Sequence, residues 1–357
     1  EPLVFRYPSL DLPTQNYPLT IPLSSNIDWL IPRLKLDVLH ANHPFLLGQV
    51  AARKSRKQNI PLVFTYHTRY REYSHYVPAL PTAMVSEFIG AYVGGYLAKC
   101  HVVVVPSTSI KELLAEKYNL TDGVHVIPTG LDLAKWAKEP SVDHRASLGT
   151  GTVLVSAGRL APEKNFECLL RAFALLEGSP SLVILGDGTH RGALENLARE
   201  LGVFERLHLV GSVSPAEVLA YFKAADLFVT ASVTETQGLV TLEAMASGLP
   251  VAAVRASGTS DVVVNGESGL LTANDPAALA AAISRMLLDR DLLGRMAARS
   301  LDVTKAFDAL VCAKRMLEVY GEAIERNAAG QRLKPVQPHV TLEDRWRAFI
   351  EGEDASS

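Results

Sequence analysis

The chain has 357 residues, 48% of them hydrophobic and 20% charged, with a formal net charge of −3. That length exceeds what one hydrophobic core organises, so two domains are expected. The slightly acidic balance excludes nucleic acid as the main partner, because a phosphate backbone is bound by a basic face. Cys100, Cys168 and Cys312 are widely spaced and form no CxxC pair, which argues against a disulfide framework or a zinc site and fits a reducing compartment.

The chain opens at Glu1 with the proline-rich stretch EPLVFRYPSLDLPTQNYPLTIP. Strands are then expected at 37–41, 61–67, 101–107 and 125–130, and again at 152–158, 181–188, 206–213, 226–232 and 250–256. Continuous apolar runs such as VVVV and LVIL suit strands covered on both faces of a parallel sheet. The apolar window 83–97 is broken by Glu87. It falls short of the roughly 20 residues a spanning helix needs, so it reads as a buried helix. Ser109-Ile-Lys-Glu112 and Ser214-Pro-Ala-Glu217 read as capping boxes, and Asp275-Pro276 opens another helix. Strand–helix–strand repetition predicts right-handed βαβ units and doubly wound α/β domains. The polar stretch 131–151 divides the chain into an N-terminal domain (1–130), a linker (131–151), a C-terminal domain (152–325) and a polar tail (326–357).

In doubly wound sheets, ligands sit at the carboxyl ends of strands, and several stretches there carry unusual residues. TYHTRYREYSHYVP (65–78) has two histidines, four tyrosines and two arginines. The tyrosines suit either core packing or the mouth of a cleft, since each has an apolar body and a polar tip. In GRLAPEKN (158–165), Arg159 and Lys164 suit either a diphosphate or a solvated loop. GDGTHRG (186–192) nearly matches a dinucleotide fingerprint, with the third glycine one place late. In ETQGLVTLE (235–243), a single helix would set Glu235 and Glu243 roughly 80° apart and about 12 Å along its axis. They are therefore no acid/base dyad on one helix. Glu235 is expected on a loop, Gly238 at a tight turn, and Glu243 inside a helix whose first N–H groups form an anion site. ARKSRKQ (52–58) clusters Arg53, Lys54, Arg56 and Lys57 at a helix end. This cluster suits the helix dipole and equally an anionic lipid surface. The DxD at Asp289 to Asp291 ends an amphipathic helix and is not read as a metal site. No HExxH, GxSxG or Walker A motif occurs.

GRL..EKN, IPTGLD (127–132), the Glu-x7-Glu pair and EAMASGLPVA (243–252) occur in this order. In this they resemble the retaining glycosyltransferases of family 4. The resemblance spans about Asp37 to Glu325. It implies a GT-B fold, two Rossmann-like domains facing a cleft. With TYHTRYREYSHYVP and ETQGLV, the chain further resembles the branch that glucosylates diacylglycerol in bacterial membranes.

The resemblance gives Arg159 and Lys164 the departing diphosphate, Glu235 the donor-sugar hydroxyls and Glu243 the ribose hydroxyls. It gives Gln237, Gly238 and Leu239 backbone contacts to sugar and phosphates. Gly158, Gly186, Gly188 and Gly211 would line the nucleotide pocket. His67 would lie by the reacting sugar, with Thr68, Tyr70, Tyr73 and Tyr76 in the acceptor region. It implies a UDP-sugar donor, a lipid acceptor, no metal or other cofactor, and a peripheral place on the inner face of the cell membrane. Family members begin with a strand and a glycine-rich loop, which this chain does not show; either the numbered chain omits residues or the protein lacks part of its cleft, and the missing methionine favours omission. The alternatives are another donor (GDP-mannose, UDP-galactose), a soluble or phosphoinositide acceptor, an epimerase, a non-catalytic GT-B subunit and, on GDGTHRG alone, a dehydrogenase.

Overall fold

The computed structural model describes residues 4–10, 19–22, 24–68, 82–148 and 151–336. The chain forms two compact units. One holds Glu1–Val105, Lys111–His125 and Val319–Ser357; the other holds Pro106–Ile110 and Val126–Glu318.

In the N-terminal unit, β1 (Ser9–Leu10) pairs antiparallel with β2 (Leu19–Thr20). A four-stranded sheet runs in the order β3 (Leu39–Ala41), β4 (Leu62–Thr65), β5 (Val102–Val105), β6 (Val124–Val126). The pairings β3–β4 and β4–β5 are parallel. β4 and β5 are buried at every residue, as continuous apolar runs in a covered parallel sheet should be. Helix Thr82–Leu97 covers this sheet through an edge contact of Tyr96 on Phe64, 5.1 Å between ring centroids. It buries one side only, because Phe88 is 71% exposed. The expectation of a wholly buried helix is corrected accordingly. The helix read from Ser109 starts at Thr108, so Ser109 lies inside its first turn and does not cap it.

Residues from Val319 onward cluster with the N-terminal unit, for identifiable reasons. Tyr320 Oη bonds His40 Nδ1 at 2.8 Å, and Arg326 donates to Asp122 Oδ1 at 2.6 Å. Leu333 N donates to Cys100 O at 3.0 Å. The described part of the expected tail is therefore folded structure.

The C-terminal unit holds a six-stranded sheet. It contains β7 (Val153–Ala157), β8 (Ser181–Leu185), β9 (Leu207–Gly211), β10 (Leu227–Thr230), β11 (Val251–Val254) and β12 (Gly269–Thr272). Their order is β12-β11-β10-β7-β8-β9, with every pairing parallel. The two faces are packed separately by alternate residues. Leu154, Leu182 and Ile184 point to one core, and Val153, Val155, Val183 and Leu185 to the other. β12 was not expected. It is short and half-buried beyond its first residue, so it lacks the apolar run that marks the central strands. The Ser214 capping box and the Asp275 cap form as expected.

Residues 131–148 are folded onto this unit and do not form a bare connector. Leu131 N donates to Phe307 O at 2.8 Å, and Arg145 Nη1 donates to Asp226 Oδ2 at 3.0 Å. Helix Leu133–Trp136 is capped by Asp132 and sets Trp136, 3% exposed, against Phe222 at 6.1 Å. Trp136→Ala should lower unfolding free energy by about 3–5 kcal/mol in urea titrations. A loss under about 0.5 kcal/mol would mean the segment is a surface connector.

Candidate functional site

The C-terminal sheet runs outward from β7 through β9, then returns to place β10 on the other side of β7. Such a reversal opens a crevice at the carboxyl ends of the strands. The loops after β7, β8 and β10 carry most of the expected donor residues; the ends of β7, β8 and β9 meet backbone to backbone, and the loop after β10 joins them through side chains. Gly158 N donates to Leu185 O at 2.9 Å, and Gly186 N to Gly211 O at 2.8 Å. A Cβ at Gly186 would stand 2.0 Å from Gly158 O, and one at Gly188 2.3 Å from Leu160 O. No larger residue fits either position without moving backbone. The structure thus brings Gly158, Gly186, Gly188 and Gly211 together. The GDGTHRG turn is closed by Asp187 Oδ1, which accepts from Gly188 N at 2.8 Å before helix Arg191–Glu200 begins.

Both expected diphosphate cations are held by carboxylates. Arg159 Nη2 donates to Glu163 Oε1 at 2.7 Å, and its side chain is 59% exposed. Glu163 is only 11% exposed, so turning the guanidinium to another anion leaves a largely buried carboxylate without its cation. Lys164 Nζ donates to Glu235 Oε1 at 2.5 Å, and the two side chains are only 24% and 23% exposed. Ser232 Oγ donates to the same oxygen at 2.9 Å. Lys164 and Glu235 thus come together from two different loops.

The Glu235 loop is fixed through its backbone. Glu235 O accepts from Gly258 N at 2.9 Å and from Ser257 Oγ at 3.1 Å. A Cβ at Gly258 would fall 2.5 Å from Gln237 N. Gln237 is 3% exposed, and its side chain is committed to Thr129. Its Oε1 accepts from Thr129 N at 2.8 Å, and its Nε2 donates to Thr129 O at 2.9 Å. That ties IPTG to ETQG and leaves Gln237 only its backbone for a ligand. Gly238 then turns left-handed (φ +72°) and opens helix Leu239–Ala246 without a side-chain cap. The first N–H groups of a helix have no acceptor within it, so this end favours an anion.

Glu243 lies one turn inside that helix, while Glu235 stays on the loop. They have different partners, Lys164 and Ser232 for Glu235 and Lys135 for Glu243. Burial pushes the Glu243 carboxyl up from 4.5 to about 6, opposed by the positive charge of Lys135. Sequence reasoning missed Lys135 because 131–151 was taken as a linker; its signal was the Asp132 cap three residues before it. Asp289 of the DxD is a helix cap, accepting from Leu292 N at 2.8 Å. Among the described residues, no group of three or more His, Cys, Asp or Glu could hold a metal ion.

His67 and Thr68 belong to the N-terminal unit. His67 Nε2 bonds Asn42 Oδ1 at 3.0 Å. An amide oxygen only accepts, so Nε2 carries the proton and Nδ1 is left with its lone pair. Burial lowers the His67 pKa. His40 bonds Tyr320 Oη and Thr65 Oγ1 (2.6 Å), and its pKa falls to about 4, chiefly through burial and also through His67. Asn42 and His40 were missed; the pattern HAN at the end of β3 was their signal. Tyr70, Tyr73 and Tyr76 lie outside the described residues.

Residues 140–301 match the family described as Glycosyl transferases group 1, and residues 2–135 match Glycosyltransferase Family 4. An alpha-monoglucosyldiacylglycerol synthase of Streptococcus pneumoniae is 36% identical over 61% of this chain, and the match spans only about half (52%) of that protein. The enzyme of the same name from Acholeplasma laidlawii is 30% identical over 83% of this chain and 77% of its own. A D-inositol 3-phosphate glycosyltransferase of Nocardia farcinica is 32% identical over 88% and 72%. Sucrose-phosphate synthase from Thermosynechococcus elongatus superposes with a TM-score of 0.72 at 26% identity, covering 84% of this chain and 76% of that one. Anabaena HepE, solved with UDP and glucose, has the same TM-score at 21% identity, covering 83% and 80%. The chain belongs to the family 4 glycosyltransferases and has their GT-B fold.

Proposed function

We propose that the protein transfers a sugar, glucose, from a UDP-sugar to diacylglycerol or a related membrane lipid, with retention of anomeric configuration. The observation that carries the transferase reading is the Lys164–Glu235 pair beside the uncapped helix start at Gly238. It sets a cation, free N–H groups and a hydroxyl-accepting carboxylate around one strand end. The lipid acceptor draws its support from the similarity to two glucosyldiacylglycerol synthases.

In this mechanism Arg159 and Lys164 turn from their carboxylates to the diphosphate and neutralise it as it leaves. Lys164 releases Glu235 as it turns, and Glu235 accepts hydrogen bonds from sugar hydroxyls. Backbone N–H groups of Gln237, Gly238 and Leu239 hold phosphate and sugar oxygens. Glu243 accepts from the ribose hydroxyls. The resemblance alone gives His67 a role by the reacting sugar; its Nδ1, left unprotonated by the Asn42 bond, can accept a hydrogen bond. The acceptor hydroxyl attacks from the face the diphosphate leaves, so catalysis is positioning and charge stabilisation. No metal is assigned a role, since Arg159, Lys164 and the helix start supply positive charge. No helix among the described residues is long and apolar enough to cross a membrane; the protein is assigned to the inner membrane face as a peripheral protein.

UDP release from a panel of UDP- and GDP-sugars should depend on diacylglycerol in mixed micelles. Lys164→Ala should cut kcat by about 10²–10³. Release that ignores lipid but responds to an inositol phosphate would favour the soluble acceptor, which the Nocardia relative's name makes the second reading.

A pH test follows from Glu243. Its free carboxyl ionises at about 6, and ribose hydroxyls bind the ionised form. UDP affinity should be flat above pH 6 and fall up to about tenfold per unit below it. Calorimetry on Glu243→Gln should show weaker binding with that slope removed. An unchanged slope in the variant would take Glu243 off the ribose.

A further inference from the structure

We propose that Arg191 selects the base of the donor nucleotide. Its Nη1 donates to the ring carbonyl oxygen that uracil and guanine carry where cytosine and adenine carry an amino group. This rests on the nucleotide part of the reading above, and neither on the lipid acceptor nor on the choice between UDP and GDP.

Arg191 is the arginine of GDGTHRG, and no donor contact above uses it. It opens helix Arg191–Glu200 from a turn with a fixed backbone. Leu160 O accepts from His190 N at 3.1 Å, and Gly188 O accepts from Arg191 N at 3.2 Å. The side chain is fixed as well. Nε donates to Glu195 Oε1 at 3.1 Å, and Nη2 donates to Leu209 O in β9 at 2.9 Å. A guanidinium is a planar fork, so two anchored nitrogens set the direction of the third. Nη1 makes no hydrogen bond among the described residues, and both of its hydrogens are left for a ligand.

That free nitrogen borders Gly211. A Cβ at Gly211 would meet Arg191 Nη1 at 4.0 Å and, among the described residues beyond its chain neighbours, nothing nearer. Those at Gly186 and Gly188 would instead strike backbone. Gly211 turns left-handed (φ +89°) where the pairing of β8 and β9 shifts register, after Ile184. The end of β9 thus presents bare backbone beside open space, with a guanidinium at its edge. A flat ring has room to lie there, and its edge meets a hydrogen-bond donor.

The place along the sheet suits a base. Lys164 follows β7 and the helix start at Gly238 follows β10, while β9 lies three strand spacings from β10, about 14 Å. An extended nucleoside diphosphate covers such a span, with its phosphates at β10 and its base at β9. An amino group at the same ring position would set donor against donor and leave Nη1 unpaired. Discrimination of that kind comes from the mismatch as much as from the matching bond.

The test is calorimetric affinity for UDP, CDP, GDP and ADP. Wild type should prefer UDP to CDP, and GDP to ADP, by about 10–100-fold, as expected for one hydrogen bond from a charged donor. In Arg191→Met both ratios should fall to within about threefold of unity, chiefly through weaker binding of the keto nucleotides. Arg199→Met removes the same charge from the same helix, at a side chain 52% exposed and bonded to Asn196. It should keep the wild-type ratios. If Arg191→Met does not fold, Arg191→Gln, whose amide still donates hydrogen bonds but is too short to reach the base, carries the same expectation. Equal loss for all four nucleotides in the Arg191 variants would make Arg191 a structural residue and overturn the proposal. So would a wild type indifferent to keto and amino bases. A preference for GDP over UDP with both ratios intact would leave Arg191 reading the base and remove only the UDP donor. Binding of none of the four would remove the nucleotide reading and this proposal with it.

Discussion

The side-chain amide of Gln237 makes both of its hydrogen bonds to the backbone of one residue, Thr129, out of contact with solvent. A buried amide without these partners would cost about 1–3 kcal/mol per unsatisfied group, so the loop has one stable seat. Gly258 presses on the other side of the same loop, where even a methyl group would strike Gln237 N at 2.5 Å. Held from both sides, the loop carries Glu235 toward Lys164 and turns at Gly238 into the helix of Glu243. The roles proposed for the two acids follow from that seat. One stands before the turn on a lysine and a serine; the other stands after it, desolvated.

The electrostatics repeat one device twice. Arg159 rests on Glu163 and Lys164 on Glu235, so each phosphate-seeking cation has a carboxylate beside it. In both pairs the carboxylate is poorly exposed, so exchange of the cation matters at each. On the proposed roles, a diphosphate would offer Lys164 a stronger partner and free Glu235 for the sugar, so that binding the phosphates and receiving the sugar would be one event.

Much of this was legible in sequence because the strands that position the site are central. VVVV, LVIL and the runs at 153–157 and 251–254 are buried on both faces, so burial alone fixes their type. β12 was not legible, since a half-buried edge strand carries no such run. The glycines of the donor loops could be located, but not the contacts that require them. Gly186 against Gly158 O is a fact about two strand ends, and no local pattern contains it. The stretch 131–151 misled because its polar residues serve as caps and ion pairs on a folded surface. Asp132 caps a helix and Arg145 reaches Asp226. Gln237 was legible only as a backbone group, because its side-chain partner lies 108 residues away.

The central claim is that Glu235 and Glu243 grip opposite ends of one ligand. Calorimetric affinities of UDP and UDP-glucose for Glu235→Gln and Glu243→Gln test it most directly. The account predicts that Glu235→Gln binds UDP no more weakly than wild type but loses about tenfold for UDP-glucose, as expected for a charge-assisted hydrogen bond to the sugar. Glu243→Gln should weaken both ligands by the same factor. If the two substitutions weakened both ligands alike, the separate roles of the two acids would be wrong.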